Sequence, residues 1–340
     1  MVQGENGLPN HVPLLPGGVS SGVLTVSNRD PPVTRLLHAC AGVFRRIVNV
    51  PPNPLQRLGV EITYPETAYQ ELPWSGYEPL PFVQVLSPGR SGTRWLADVI
   101  LASTRHAVIH NQVGSLAEVG YLLDQGRLTS QEALGAYLQV RARALEYCHV
   151  SGCGLVDLDC KISPLLPTLL NRFSEMRCAV VLRDPLGFVQ SGLARGYFRH
   201  LNPQLYGHLT DTSGTWSCEA ASRLGVPARA IMIARFWNKV ALLAQSVRTE
   251  HPNRVKLMRM RAMFASREET EAFLGSIGLS VDHRRLTIYR DFDRIKNATS
   301  ATRSPHTDLA DVVAEIYRVA YQGLSPDFLA GCGLTEKPSN

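Results

Sequence analysis

Charged residues are scarce in this chain. Asp, Glu, Lys and Arg make up 19% of its 340 residues, too few for a disordered or coiled-coil protein. It lacks any run of about 18 uninterrupted apolar residues, the length a membrane-spanning helix needs. Its opening stretch, MVQGENGLPNHVPLLPGGVS, has no basic start and no long apolar segment, so no secretory signal is expected. Paired cysteine spacings are missing too. The seven cysteines are scattered, and Cys148, Cys153 and Cys160 lack the spacing and flanking histidines of a zinc site. They read as reduced thiols, and a cytoplasmic location is expected. What is present is apolar residue, at 44%, enough to bury one large core or two small ones. The net charge of +6 and pI near 9.0 lean toward anionic partners. The arginines are too dispersed, with too few aromatics between them, for a nucleic-acid surface.

Residues 1–32 are rich in Gly, Pro, Ser and Asn and are expected to form a flexible arm. An N-terminal extension over 33–79 opens with helical spacing in VTRLLHACAGVFRRIV (33–48) and is then punctuated by proline. From residue 80, strand-like runs recur at 82–87, 106–110, 154–159, 177–182 and 254–260. Helical patterns fall at 92–102, 115–124, 130–147, 185–195, 229–247 and 267–277, with a last one at 308–322. This alternation predicts the α/β class: a central parallel β-sheet flanked by helices, in one domain over 80–335. The unbroken run CAVVL fits a strand buried on both sides. Residues 196–228, polar, aromatic and turn-rich, form the expected substrate lid.

The stretch LPFVQVLSPGRSGTRWLADVILAS (80–103) passes from strand through a Gly-Ser-Arg loop into a helix whose apolar face is Trp95, Leu96, Val99 and Ile100. In open α/β sheets ligands gather at the carboxyl ends of the strands. The free N–H groups of the helix start, Arg90, and the hydroxyls of Ser91 and Thr93 suit an anion there. A plain strand–helix turn is the simpler reading, but it needs fewer donors than this. The loop lacks the Gly-Lys-Ser/Thr ending of a nucleoside-triphosphate site, and no apolar strand ends in a convincing Mg²⁺-binding Asp. No metal is expected. A second segment, CAVVLRDPLGFVQSGLARG (178–196), puts Arg183 at a strand end, Asp184 at a helix cap and Ser191 about two turns on. Arg183 and Ser191 are placed to clamp a second phosphate; alternatively Arg183 pairs with Asp184 at the surface.

These motifs carry a resemblance. PGRSGTRWL looks like the 5′-phosphosulfate loop, and VVLRDPLGFVQS like the 3′-phosphate element, of the P-loop-like sulfotransferases that use 3′-phosphoadenosine 5′-phosphosulfate (PAPS). DCKISPLLPTLLNRFSEMR is similar to the family's lysine-bearing segment, and the likeness covers about 80–335. It implies PAPS as donor, 3′-phosphoadenosine 5′-phosphate (PAP) as product, no metal, and a small-molecule acceptor. It also implies Arg90 near the leaving bridge, Ser91, Gly92, Thr93 and Arg94 around the 5′-phosphate, Trp95 against the adenine, and Arg183 with Ser191 on the 3′-phosphate. The C-terminal loop that closes this phosphate in relatives has no counterpart here. Only Lys296 and Arg303 offer charge. The Glu-Asp that relatives show after the equivalent of strand 254–260 is replaced by Arg261-Ala262.

Sulfuryl transfer needs in-line placement, positive charge at the leaving oxygen, and a base for the acceptor. Arg90 and Lys161 are the expected cations. Relatives acting on small phenols and alcohols have a histidine two residues after the lysine, where this chain has Ser163. Asp159 and His110 are the candidate bases. PAPS-dependent transfer to a hydroxyl or amine is the leading expectation. A non-catalytic PAP- or PAPS-binding protein and a P-loop-like small-molecule kinase are the alternatives. No motif names the acceptor or an oligomeric state.

Overall fold

Apolar runs too short for helices and too continuous for one-sided strands form the middle of the molecule. They are β2 (Phe82–Leu86), β3 (Ala107–His110), β4 (Leu155–Leu158), β5 (Arg177–Val181) and β6 (Val255–Met258). All five are parallel, in the order β3-β4-β2-β5-β6. A short strand, β1 (Val23–Thr25), lies within the expected arm and pairs antiparallel with β3 at the sheet edge. The computed structural model describes residues 23–25, 79, 81–110, 115–124, 126–197, 225–288 and 309–334. The expected helix over 33–48, most of the expected lid, Lys296 and Arg303 lie outside them.

Helices cover both faces. On one lie α1 (Thr93–Ser103), α7 (Met260–Ala265), α8 (Arg267–Ser276) and α9 (His283–Ile288). On the other lie α2 (Ser115–Asp124), α3 (Ser130–Ser151), α4 (Leu166–Arg172), α5 (Pro185–Ala194), α6 (Val226–Glu250), α10 (Val313–Ala320) and α11 (Pro326–Gly331). Period-two alternation divides each strand between them. Val83 and Val85 join Trp95, Val99 and Ile100 in one core, while Phe82 and Leu86 join Tyr137, Phe188 and Trp237 in the other. The expected α/β class with a helix-covered parallel sheet is what the chain adopts.

Boundaries shift for local reasons. A capping box of Thr129 and Glu132 starts α3, and Gly152 at φ 59° ends it, past the expected end at 147. Pro227 in the first turn of α6 starts that helix inside the expected lid. The expected strand to 260 stops at Met258, where α7 takes over after Arg259. A 3₁₀ turn (Cys160–Leu165) follows β4, and another (Ala310–Val312) opens α10. The short helices α4, α7, α9 and α11 are below the length at which periodicity shows in sequence. No described helix is long and apolar enough to cross a membrane. Because the five strands are parallel, their C-terminal ends share one edge. His110 sits there in register with Leu158, next to Asp159, and Val181 in register with Met258 brings Arg183 toward the start of α7.

Candidate functional site

The loop after β2 is braced by its own serines. Ser87 Oγ accepts from the Gly89 N–H at 3.0 Å, and the Ser91 hydroxyl donates to the Gly89 carbonyl at 3.0 Å. Both serines are buried, so the Ser91 hydroxyl, expected at a phosphate, is turned into the loop instead. Arg90 has a left-handed backbone at φ 54°, a conformation that costs a non-glycine residue about 1 kcal/mol or more. Gly92 precedes α1 at φ 76°, and a Cβ there would stand 2.8 Å from the Phe264 ring. No side chain caps α1 and no acidic residue sits in its first turn, which leaves the helix start as a set of donors for an anion. The buried Thr93 hydroxyl lies 3.4 Å from His110 Nε2. Arg94 is exposed.

The role implied for Trp95 is corrected. Its ring is fully buried, edge-on to Phe264 with centroids 4.7 Å apart, and presents no face to an adenine. The apolar periodicity of α1 outweighs the role carried over by resemblance.

Across the edge, Arg90 Nε donates to Ser191 Oγ at 3.0 Å, tying the loop to α5. Arg183 folds along the same helix: a Cβ on Gly187 would lie 2.9 Å from Arg183 Nε, so the bare glycine makes its bed. Gly187, Ser191 and Arg195 follow at four-residue intervals and form one stripe. Burial depresses the Arg90 guanidinium and the positive charge of Arg195 depresses it further; Tyr197 pulls the other way, ahead of a weaker depression by Arg183 and a weak opposing pull from Cys160. Among the described residues no carboxylate forms an ion pair with Arg90, Arg183 or Arg195. The surface pairing of Arg183 with Asp184 is therefore set aside. Asp184 Oδ1 instead accepts from the Gly187 N–H at 3.0 Å, and Oδ2 accepts from the Tyr317 hydroxyl at 2.9 Å. Trp237 Nε1 donates to the Arg183 carbonyl at 2.9 Å, so this turn is held from two sides. Cys160 Sγ would stand 3.2 Å, and the Tyr197 hydroxyl 4.0 Å, from a Cβ on Gly89. Burial pushes the Cys160 thiol up to about 12, so it is neutral. Arg195 and Gly187 escape a motif search; the four-residue ladder running from Arg183 is the signal that points to them.

The β4 side is built differently. Arg141, on α3, donates from Nε to Asp157 Oδ2 at 2.8 Å and from Nη2 to Asp159 Oδ2 at 3.1 Å, all with essentially no exposure. The Tyr137 hydroxyl adds a bond to Asp157 at 3.3 Å. Burial raises Asp157 above the usual carboxylate range against the pull of Arg141. Asp159 Oδ1 accepts from the Lys161 N–H at 3.2 Å and caps the turn that carries Lys161. Ser163 is buried and its hydroxyl donates to the Cys160 carbonyl at 2.7 Å. Burial first, then Arg94, lowers the His110 pKa, with Asp159 and Asp98 pulling the other way.

Neither a family model nor a curated protein matches the sequence. Among solved structures the chain is similar to the sulfotransferase domain from the curacin biosynthetic pathway, at 16% identity and a TM-score of 0.38, over 62% of this chain and 78% of that one. The fold and the edge geometry on their own define an α/β protein with a cluster of arginines and an uncapped helix start at the carboxyl ends of a parallel sheet.

Proposed function

We propose that the chain is a sulfotransferase that moves a sulfuryl group from PAPS to a hydroxyl or amine of a small molecule. One observation carries the reading: three arginines, Arg90, Arg183 and Arg195, lie close together beside an uncapped helix start, and among the described residues no carboxylate pairs with them. Such an arrangement suits a ligand with two separated anionic groups. The α1 start with Thr93 and Arg94 takes the 5′ end of the donor, and Arg183 with Ser191 takes the 3′-phosphate. Arg90, next to both, stabilises charge on the leaving oxygen, and Lys161, in the turn after β4 at the same edge, is the second cation of this reading. Trp95 has no part in holding the base.

His110 is the base in this reading. Its lowered pKa leaves the imidazole neutral and able to accept the acceptor's proton near pH 7. Asp159 has both oxygens engaged and acts as a fixed negative charge beside the imidazolium that forms. A second reading, a PAP-binding protein without turnover, is favoured by one observation: Ser163, at the position where relatives carry the histidine, is buried and bonded to its own turn. Incubation with ³⁵S-PAPS and a panel of phenols, alcohols and amines separates the two. Labelled product supports the transferase. Tight PAP binding with no product on any acceptor supports the second reading, and turnover that needs ATP and Mg²⁺ rejects both.

A further inference from the structure

At the C-terminal end of α3, two turns beyond Arg141 on the same buried face, two cysteines meet. The N–H of Gly152 returns to the Cys148 carbonyl, and the Cys153 N–H does the same at 3.1 Å. This double return reverses the chain and carries residue 153 back over residue 148, the contact that commonly seals a left-handed helix end. In most helices that contact is between two aliphatic side chains. Here it is between two thiols. Cys148 is fully buried, Cys153 is half-buried against the same core, and their side chains are in hydrogen-bonding contact. Both are reduced. Cys148 Sγ also lies 3.5 Å from the Gly154 carbonyl, so its position is fixed. A disulfide needs Cα atoms roughly 4.4–6.8 Å apart, a separation that directly hydrogen-bonded backbones of this kind supply.

We propose that Cys148 and Cys153 form a dithiol site that reacts with low-molecular-weight disulfides of the oxidised-glutathione class to close an intrachain disulfide across the end of α3. The steps balance. The half-buried Cys153 thiol loses its proton, and its sulfur attacks one sulfur of the reagent; the reagent's S–S bond breaks and one thiolate leaves, taking up a proton. Cys148 then loses its proton, its sulfur displaces the second reagent thiolate from Cys153, and the protein disulfide forms. Two protein thiols and one small disulfide become one protein disulfide and two small thiols. The order follows from access, because the attacking sulfur must be reachable from solvent and the resolving one only from its neighbour. The neighbouring Cys153 thiol, and then burial, hold Cys148 protonated in the reduced protein, so Cys153 is the sulfur that attacks first.

The closed bridge joins the last turn of α3 to the residue before the Gly154–Leu155 start of β4. Arg141 lies near the middle of the same helix, and its carboxylate partners Asp157 and Asp159 lie toward and just past the far end of β4. The site makes no use of the proposed sulfuryl chemistry and stands or falls separately from it.

The full chain is incubated with oxidised glutathione under native conditions, blocked with iodoacetamide and digested with trypsin. Cleavage after Arg143 and Lys161 places Cys148, Cys153 and Cys160 in one peptide, 144–161. The expected peptide is lighter by two hydrogens, carries one blocked cysteine at Cys160, and shows no backbone fragments between 148 and 153. In the Cys148→Ala protein the expected product is a retained glutathione on Cys153. Retained glutathione on Cys153 of the unaltered protein, pairing of either cysteine with Cys160, or reaction only after unfolding in urea would each overturn the proposal.

Discussion

Two sets of arginines at one edge of the sheet differ in how they are neutralised. Arg141 is enclosed, and its guanidinium is shared between Asp157 and Asp159 with no exposure to water. Arg90, Arg183 and Arg195 are half-buried or exposed, crowd one another around Ser191, and form no ion pair with a described carboxylate. The first arrangement satisfies charge within the fold. The second leaves like charges side by side, a repulsion that the proposed anion would relieve. Residue type alone does not separate structure from function here; the presence or absence of a counter-charge does.

The comparison makes its largest demand on Arg141. Arg141→Met strands two buried carboxylates, and a loss of about 3–5 kcal/mol in urea unfolding is expected. Arg183→Ala should shift the same unfolding curve by no more than about 0.5 kcal/mol. Its effect belongs instead to ligand binding: PAP affinity should fall roughly ten- to a hundredfold, from losing about 1.5–3 kcal/mol of charge-assisted hydrogen bonding. If the two arginines exchange these effects, the distinction drawn here is wrong.

Gly187→Ala sharpens the contrast, because it should move stability and binding in opposite directions. Alanine is favoured over glycine within a helix by up to about 1 kcal/mol. Its Cβ, however, would sit 2.9 Å from Arg183 Nε and push that side chain from its bed. A variant that melts no lower yet binds PAP more weakly than the parent is expected. Unchanged PAP affinity would mean that Arg183's pose along α5 is irrelevant to binding.

The smallest effect is on pH dependence. Burial lowers the His110 pKa in the folded state below its unfolded value of about 6.5. The unfolded chain therefore binds the proton more readily, so stability contributed by neutral His110 is present above about pH 6.5 and is lost as pH falls toward the folded value. His106 is lowered by burial as well and adds the same trend. Melting curves between about pH 7 and pH 5 should show a shallower fall for His110→Gln than for the parent. An equal fall would place His110 in a more exposed setting.

Much of the fold was legible because its strands are buried on both sides and so appear as apolar runs bounded by turns. Each of the five parallel strands lies within the run expected for it, trimmed at one or both ends. The loop after β2 and the Arg183 turn were legible for the same reason, since both sit where a strand stops. Arg141 was not. In QVRARALEY it looks like a solvated helix position, and its burial depends on Asp157 and Asp159, which arrive through a separate strand. Trp95 shows the converse error. Its place on the apolar face of α1 was visible in the spacing, and that spacing, rather than a resemblance between loops, set its fate. Arg195 was passed over because no motif includes it; it caps the end of α5, one helical turn past Ser191.

The central claim is that one edge of the sheet holds two anionic groups at once, with Arg183 on the second. Calorimetric titration of PAP and of adenosine 5′-phosphate into the parent protein and Arg183→Ala tests it most directly. The account predicts that removing the 3′-phosphate weakens binding to the parent by tenfold or more and makes little difference to Arg183→Ala. An equal penalty in both proteins, or none in either, would contradict it.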